Sequence, residues 1–372
     1  MGKIRVLEVI RQGEIGGGES HVMDLVTGFN KDVVIPIVLA FTHGNMIEVL
    51  SEQGIQCHVI ETQSAFDYKV QHQIIELIRQ ENIDVVHAHG SRAASNVLWP
   101  AKRLGKPLVY TVHGWSFHQD QPFLVQKLRA LSEKFICKCS KEVICVSESN
   151  MISGKRAFGL HKCRVIENGV NLCRFNCQDV YENIRLEFGF SDNDIIVALI
   201  ARITLQKDPL SFVEAIAKAH EKNPRIKGLI IGEGDMKGEI DDYILRHQMD
   251  GYIHTFPFRT DIPRVLNAID IYCLPSLWEG LSIALLEAMA MKKPVIVTPT
   301  DGCKELIANG ENGLVVNFRS PEDIAMACLQ YASTSTLMKQ CTEKAFQMVN
   351  QRFNAQRVSD EVCMIYKTIL KL

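Results

Sequence analysis

Two glutamates stand eight residues apart in Glu279-Gly280-Leu281-Ser282-Ile283-Ala284-Leu285-Leu286-Glu287. At 1.5 Å of rise per residue, a helix opening there would separate them by about 12 Å. That is the reach from a sugar ring, across a pyrophosphate, to a ribose. The N–H groups around Gly280, Leu281 and Ser282 would face the phosphates at the helix start. Glu287 lies among Leu285, Leu286, Ala288 and Met289, so it is expected to be poorly solvated. A buried carboxylate needs donors, and a ribose diol offers two. A solvated place on a helix would explain Glu279 equally well, but not Glu287.

Three further loops could do chemistry. In Ala201-Arg202-Ile203-Thr204-Leu205-Gln206-Lys207-Asp208-Pro209, Arg202 ends an apolar run and Lys207 precedes a helix that Asp208 would cap and Pro209 would open. A guanidinium fork and a point charge suit a pyrophosphate, although two solvated loop charges would look the same. Gly16-Gly17-Gly18-Glu19-Ser20 follows the first apolar run and precedes a helical pattern, so it is either a ligand loop or a tight turn. It is not Gly-x-Gly-x-x-Gly, so the nicotinamide dinucleotide fingerprint is absent. His113-Gly114 ends another apolar run, where a histidine can bind a ligand hydroxyl or be satisfied internally.

The elements that must position these loops are legible as alternating apolar runs and amphipathic segments, the pattern of βαβ units. Strands are expected over 3–10, 33–40, 84–88, 107–112, 142–146 and 163–167, then over 194–201, 226–231, 252–257, 269–274, 294–298 and 313–317. Glu19–Phe29 and Val70–Gln80 carry one-face helical patterns, and the chain is helical from about 321 to 371. Asn168-Gly169 marks a turn between the halves. The reading is α/β: two doubly wound domains, 1–170 and 171–353, with a last helix over 354–372 returning to the first. Ligands of such sheets bind outside the carboxyl ends of the strands, so the active cleft is expected between the domains.

Composition limits the function classes. The chain has 372 residues, 41 basic and 43 acidic side chains and a net charge of −2, which excludes a nucleic-acid-coating protein. No apolar run approaches the roughly 20 residues of a membrane span. Met1–Ile10 carries Glu8 within its apolar run and reads as a first strand, not a signal peptide. The 12 cysteines include no Cys-x-x-Cys pair and read as small buried hydrophobes in a reducing cytosol.

Together these residues resemble the family 4 (group 1) retaining glycosyltransferases of the GT-B fold. The resemblance rests on Glu279-x7-Glu287, on Ala268-Ile269-Asp270 through Pro275-Ser276, and on Lys293-Pro294-Val295. Arg202 and Lys207, Asn168-Gly169-Val170, the glycine loop and His113-Gly114 complete it, in order, over nearly the whole chain. It implies two Rossmann-like domains facing across a cleft that binds a nucleotide-diphosphate-sugar. It assigns Arg202 and Lys207 to the pyrophosphate, Glu279 to hydroxyls of the transferred sugar with Gly280, Leu281 and Ser282 nearby, and Glu287 to the ribose. His113 would face the sugar near its 6-position, and Gly16, Gly17 and Gly18 would close over the phosphates. UDP is preferred over GDP from family frequency.

Two departures stand out. Lys292 occupies the place of the family's glycine after the Glu287 helix, where a left-handed backbone would strain it. The family's Phe-x-Gly at the base pocket reads Phe256-Pro257-Phe258-Arg259. No Asp-x-Asp metal motif ends a strand, so two loop cations would neutralise the leaving diphosphate, and neither a metal nor another cofactor is expected. No carboxylate pair of glycosidase character supports double displacement. A nucleotide-sugar epimerase of the same fold and a non-catalytic nucleotide-sugar-binding protein are the competing readings.

The acceptor side is read from Gln121–Lys141. Lys127, Lys134, Lys138 and Lys141 share a helical face beside Leu124, Leu128, Leu131 and Phe135. In similar enzymes that glycosylate lipid-linked acceptors, such a surface meets an anionic membrane. The alternative is a solvated face over a core stripe. Trp115 and Phe117 would line an acceptor groove. The expectation is a cytoplasmic enzyme, peripheral on the inner membrane face, that builds a lipid-linked or cell-surface glycan.

Overall fold

The computed structural model describes residues 2–14, 16–117 and 121–372. The chain divides into two compact units, Met1–Gly169 with Ala355–Leu372, and Val170–Asn354.

The first unit is built on seven strands: β1 (Ile4–Ile10), β2 (Val34–Ala40), β3 (Gln56–Val59), β4 (Val85–His89), β5 (Leu108–Val112), β6 (Glu142–Cys145) and β7 (Arg164–Val165). All pair in parallel, in the order β3-β2-β1-β4-β5-β6-β7. Sequence order reverses between β1 and β4, where Glu8 aligns with His87 and Ile10 with His89. Helices cover both faces. Ile74 and Ile78 of the helix Gln71–Gln80 join Val97 and Leu98 over one face, and Leu25 and Phe29 join Val358, Val362 and Tyr366 over the other. Burial on two sides explains why these strands read as continuous apolar runs. The exception is β3, which the apolar pattern does not reveal. It is a half-exposed edge strand of sequence Gln-Cys-His-Val.

The second unit has β8 (Ile195–Ile200), β9 (Ile226–Ile231), β10 (Ile253–Phe256), β11 (Ile271–Leu274), β12 (Val295–Val297) and β13 (Leu314–Val315). They are parallel in the order β10-β9-β8-β11-β12-β13, with the reversal between β8 and β11. The helical tail is three helices, Pro321–Ser333, Ser335–Arg352 and Ala355–Leu370. The first two belong to this unit and the third to the other. Each reversal leaves strand ends open to a ligand, and the candidate residues gather at these two places.

Candidate functional site

In the second unit the chain leaves β8 through Ala201–Thr204 and makes a short 3-10 turn, Leu205–Lys207. Asp208, at φ +48°, caps the helix Pro209–Lys222 by accepting from the Ser211 N–H. The turn delivers Lys207 to Glu279. Their ammonium and carboxylate form an ion pair at Glu279 Oε1, which also accepts from Ser276 Oγ at 2.7 Å. The two loops are stitched together by Leu277 N–H to Gln206 O and Gln206 Nε2 to Trp278 O, both 2.8 Å. Lys207 and Glu279, assigned to different parts of a donor by resemblance, are therefore partners in the structure. Arg202 is exposed and makes no ion pair or hydrogen bond among the described residues, so it stands outside that pair.

A loop that motif reading passed over braces the Arg202 segment. Ile203 N–H donates to Glu233 O, and Met236 N–H donates to Ile203 O. A β-carbon at Gly232 would overlap Ala201 O, and one at Gly234 would overlap Ile203 O. The signal was present as Gly232-Glu233-Gly234 directly after an apolar run.

Ser282 caps the helix Ile283–Ala290, its hydroxyl accepting from Leu285 N–H at 3.4 Å. Glu287 sits on this helix as expected from spacing, but it is half-buried rather than enclosed, because Leu285, Leu286, Ala288 and Met289 take the inward positions. Tyr272 of β11, fully buried, lies near both glutamates: its phenol is pushed well up, first by burial and then by Glu287 and Glu279. Arg259, in the departing Phe256–Arg259 segment, is committed to Asp261 through two 2.7 Å bonds and pairs with Glu187. Lys292 does take the left-handed conformation, with φ +53°.

In the first unit the helix Gly17–Gly28 begins after an extended Gly16 with no side-chain cap, leaving its first N–H groups to other partners. Gly18 lies against His113: a β-carbon there would touch the ring at 3.7 Å. The glycine loop and His113, remote in sequence, are thus adjacent. Behind them lies a buried polar network that motif reading did not assemble. Glu8 of β1 is fully buried. Its Oε1 accepts from Tyr366 OH at 2.7 Å, and its Oε2 lies 2.9 Å from His89 Nε2 and 3.1 Å from His87 Nδ1. His87 Nε2 meets Thr111 Oγ1 at 2.7 Å, and His89 Nδ1 meets His113 Nε2 at 3.1 Å. The ring of His21 stands edge-on to His113 with centroids 4.7 Å apart.

Burial first, and neighbouring histidines next, hold His21 down to about 3 and His89 to about 4; His113 is lowered well below its usual range by burial and the same neighbours. Burial alone would raise Glu8, yet His87 and His89 outweigh it and hold the carboxyl well below the ordinary range. The rings of His21, His89 and His113 are therefore neutral at pH 7 and the Glu8 carboxylate is charged. The ligating atoms of His21, His89 and His113, and those of Glu8, His87 and His89, lie within 4.8 Å of one another, close enough for one divalent ion. The short contacts of His89 to Glu8 and to His113 match hydrogen bonds.

On the acceptor side one expectation changes and one alternative falls away. Trp115 is a core residue: it is buried, donates from Nε1 to Asn150 O at 2.7 Å and stacks on Phe117. It presents no face to an acceptor, and half-buried Phe117 is held between Trp115 and Phe158. The helix Phe123–Cys139 is turned opposite to a core-stripe reading. Leu124, Leu128 and Leu131 are 73%, 67% and 61% exposed, Phe123 is 65% exposed, and Lys127, Lys134, Lys138 and Lys141 are exposed with them. Glu133 faces inward, fully buried, accepting from Tyr110 OH at 2.8 Å, Ser116 N–H at 3.1 Å and Ser91 Oγ. Among the described residues, no helix is long and apolar enough to cross a membrane.

Comparison with known proteins agrees with this geometry. The family described as "Glycosyltransferase Family 4" matches residues 15–174, and "Glycosyl transferases group 1" matches residues 180–348. The chain is 30% identical over 306 residues to the UDP-Gal:alpha-D-GlcNAc-diphosphoundecaprenol alpha-1,3-galactosyltransferase of Escherichia coli, covering 79% of this chain and 77% of that one. It is 27% identical over 265 residues, 68% of each chain, to the N,N'-diacetylbacillosaminyl-diphospho-undecaprenol alpha-1,3-N-acetylgalactosaminyltransferase of Campylobacter jejuni. Among solved structures, Anabaena HepE in complex with UDP and glucose superposes with a TM-score of 0.86 at 20% identity, over 99% of this chain and 100% of that one. The fold is GT-B. The paired parallel sheets, the glutamate–lysine pair of the second unit and the glycine–histidine contact of the first belong to a chain that is a member of the group 1, family 4 glycosyltransferases.

Proposed function

We propose that this glycosyltransferase moves a sugar from a nucleotide-diphosphate-sugar, UDP rather than GDP, to a hydroxyl of a lipid-linked or cell-surface glycan precursor, with retained anomeric configuration. The observation that carries the reading is the Lys207–Glu279–Ser276 contact beside the capped helix start at Ser282. Both contacts to Glu279 fall on Oε1, so Oε2 can take a sugar hydroxyl while the carboxylate holds Lys207 in place. Arg202 and Lys207 then meet the charge that builds on the departing diphosphate, and oriented cations of this kind lower the barrier directly. In the second unit Gly280, Leu281 and Ser282 face the phosphates and Glu287 takes the ribose; in the first, His113 takes a sugar hydroxyl and Gly16–Gly18 a phosphate. With these two cations at the leaving diphosphate, transfer proceeds without a divalent metal or other cofactor. UDP in the HepE complex and the UDP-Gal donor of the Escherichia coli relative support the base preference.

A thermal-shift screen of nucleotide-sugars tests the donor: at 100 times its dissociation constant a donor adds about 2.7 kcal/mol of stability. Nucleotide release only when acceptor is supplied, an α-linked product from an α-linked donor by NMR, and unchanged turnover in EDTA are the expected outcomes. Release without acceptor would favour an epimerase or hydrolase.

The acceptor reading rests on the outward-facing Leu124, Leu128 and Leu131 among Lys127, Lys134, Lys138 and Lys141. Four basic residues at about 1 kcal/mol each, with apolar side chains to insert, give reversible docking on the anionic inner face of a membrane from the cytoplasm. Both relatives named above carry a diphosphoundecaprenol acceptor in their names. Sedimentation with anionic vesicles should show binding at low salt that is lost at high salt. It should also be lost when the four lysines become glutamine; unchanged binding in that variant would remove the membrane claim.

A further inference from the structure

The buried network behind His113 carries a defined hydrogen register, and this register reaches the proposed sugar contact. The starting point is Glu8, which is fully buried and charged, so both of its oxygens can only accept. His89 Nε2, 2.9 Å from Oε2, must therefore carry a hydrogen. A neutral imidazole has one N–H, so His89 Nδ1 is bare. That atom lies 3.1 Å from His113 Nε2. Two bare nitrogens at that distance would repel, so His113 Nε2 carries the hydrogen and His113 Nδ1 is bare in turn. Burial keeps a second proton off His89, and off His113 as well.

Tyr366 OH donates to Glu8 Oε1 at 2.7 Å, and His87 lies between Glu8 Oε2, 3.1 Å from its Nδ1, and Thr111 Oγ1, 2.7 Å from its Nε2.

We propose that Glu8 and His89 are positioning residues that fix His113 as a hydrogen-bond acceptor at Nδ1, so that this site takes donor sugars presenting a free hydroxyl to His113. The inference rests on the reading of His113 as the sugar-facing residue. A hydroxyl hydrogen satisfies the bare nitrogen. A fluorine or an ether oxygen at the same place can only accept and would face it lone pair to lone pair, while a deoxy sugar would leave it unpaired. Sites built around a substrate hydroxyl reject analogues lacking it by large factors, because a buried polar atom is then stranded.

The test uses the full chain labelled with ¹⁵N-histidine, with the His113 signals assigned by their loss in His113→Phe. In the wild type at pH 7, His113 should show one tautomer, protonated at Nε2 and bare at Nδ1. In His89→Phe the acceptor is gone and the single tautomer should give way to a mixture. His89→Gln, whose carbonyl oxygen can again accept, should restore it. A merely structural His89 would leave the His113 tautomer the same in all three.

In turnover with UDP-galactose or the donor selected by the thermal-shift screen, kcat/KM should fall about tenfold in His89→Phe and recover in His89→Gln. Three wild-type results would overturn the proposal without any variant having to fold: an Nδ1–H tautomer, a doubly protonated His113 at pH 7, or stoichiometric zinc uptake that removes the His113 N–H signal. Full turnover in His113→Phe would instead overturn the sugar-facing reading and the proposal with it, while the tautomer measured in the wild type would still separate that failure from an error in the network.

Discussion

The two candidate regions solve the same problem with opposite chemistry. In the second unit, charges sit in loops just beyond the strands: Arg202 exposed, Lys207 paired with Glu279, all on backbone held close by Gly232, Gly234 and Gly302. A β-carbon at Gly302 would overlap Gly280 O, so the approach of the Asp301–Leu306 helix to the Gly280–Ser282 segment depends on its absence. In the first unit the polar groups lie largely within the sheet itself, Glu8 on β1, His87 and His89 on β4 and Thr111 on β5, all buried, with buried His21 on the helix Gly17–Gly28 beside them. An exposed loop cation such as Arg202 can be removed with little consequence for folding, because water reaches it. A glutamate in the middle of a parallel strand cannot, because every partner it lacks is a lost hydrogen bond in a dry place.

The sharpest way to break this contrast is to remove the cations singly. Lys207→Ala should lower turnover by about 10²–10³-fold, the scale of one oriented charge donor. It should also lower stability by about 1–3 kcal/mol, because Glu279 is left largely buried without its partner. Arg202→Ala should cost a similar factor in turnover with melting unchanged. Steady-state kinetics and denaturant melts on both variants decide it, and equal stability losses would show that Arg202 is not free in solution.

Acid should then find the first unit. Between pH 6.5 and about 4 the unfolded chain takes up protons that folded His21 and His89 refuse, so stability falls as the pH drops through that window. Each histidine contributes about 1.4 kcal/mol per pH unit. Melts at pH 7, 6 and 5 should fall steadily, and His21→Asn should flatten the slope by about one proton; parallel curves would contradict a buried, neutral His21.

A smaller effect separates the network's members. Tyr366→Phe deletes one hydrogen bond to a charged acceptor and should cost about 1.5–3 kcal/mol in denaturant melts. It should leave the ion pair of the second unit, and nucleotide affinity, untouched. Smallest of all, Lys292→Gly should stabilise the second unit by about 0.5–1 kcal/mol, relieving a side chain held at φ +53° against the greater chain entropy of glycine. A loss of stability there would give its Glu343 ion pair, 3.0 Å and exposed, a larger share than such pairs usually have.

The contrast also explains what could be read from residues alone. The second unit's site is contiguous in short motifs, so Glu279, Gly280, Leu281, Ser282 and Glu287 announce themselves by spacing. Lys207's pairing with Glu279 did not, because it joins residues 72 apart. The first unit's network is distributed over five elements. Glu8 and the His87-Ala88-His89 alternation were visible as polar residues in otherwise apolar strands, which is the signal that buried partners exist, but nothing local says which partners. The helix Phe123–Cys139 misleads in the same way: three spaced leucines imitate a core stripe, and only the hydroxyls of Tyr110 and Ser91 and the N–H of Ser116 explain why Glu133 turns inward instead. Strand β3 escaped because a half-exposed edge needs no apolar run.

The crossing of the last helix back to the first sheet has a consequence for synthesis. Glu8 is made long before Tyr366, which supplies the hydrogen bond to its Oε1 and lies 358 positions later. The whole of Val170–Asn354 is translated in between. At about 5–20 residues per second, Glu8 waits roughly 20–70 s for that partner. On the ribosome the first sheet therefore exists for a time with a charged carboxylate short of a donor and with the face awaiting Val358, Val362 and Ile365 uncovered. Nascent chains stalled before Ala355 should be more open to proteases in the first unit than the released protein, and the helix that finishes the sheet acts as a latch thrown only after Val170–Asn354 has been made.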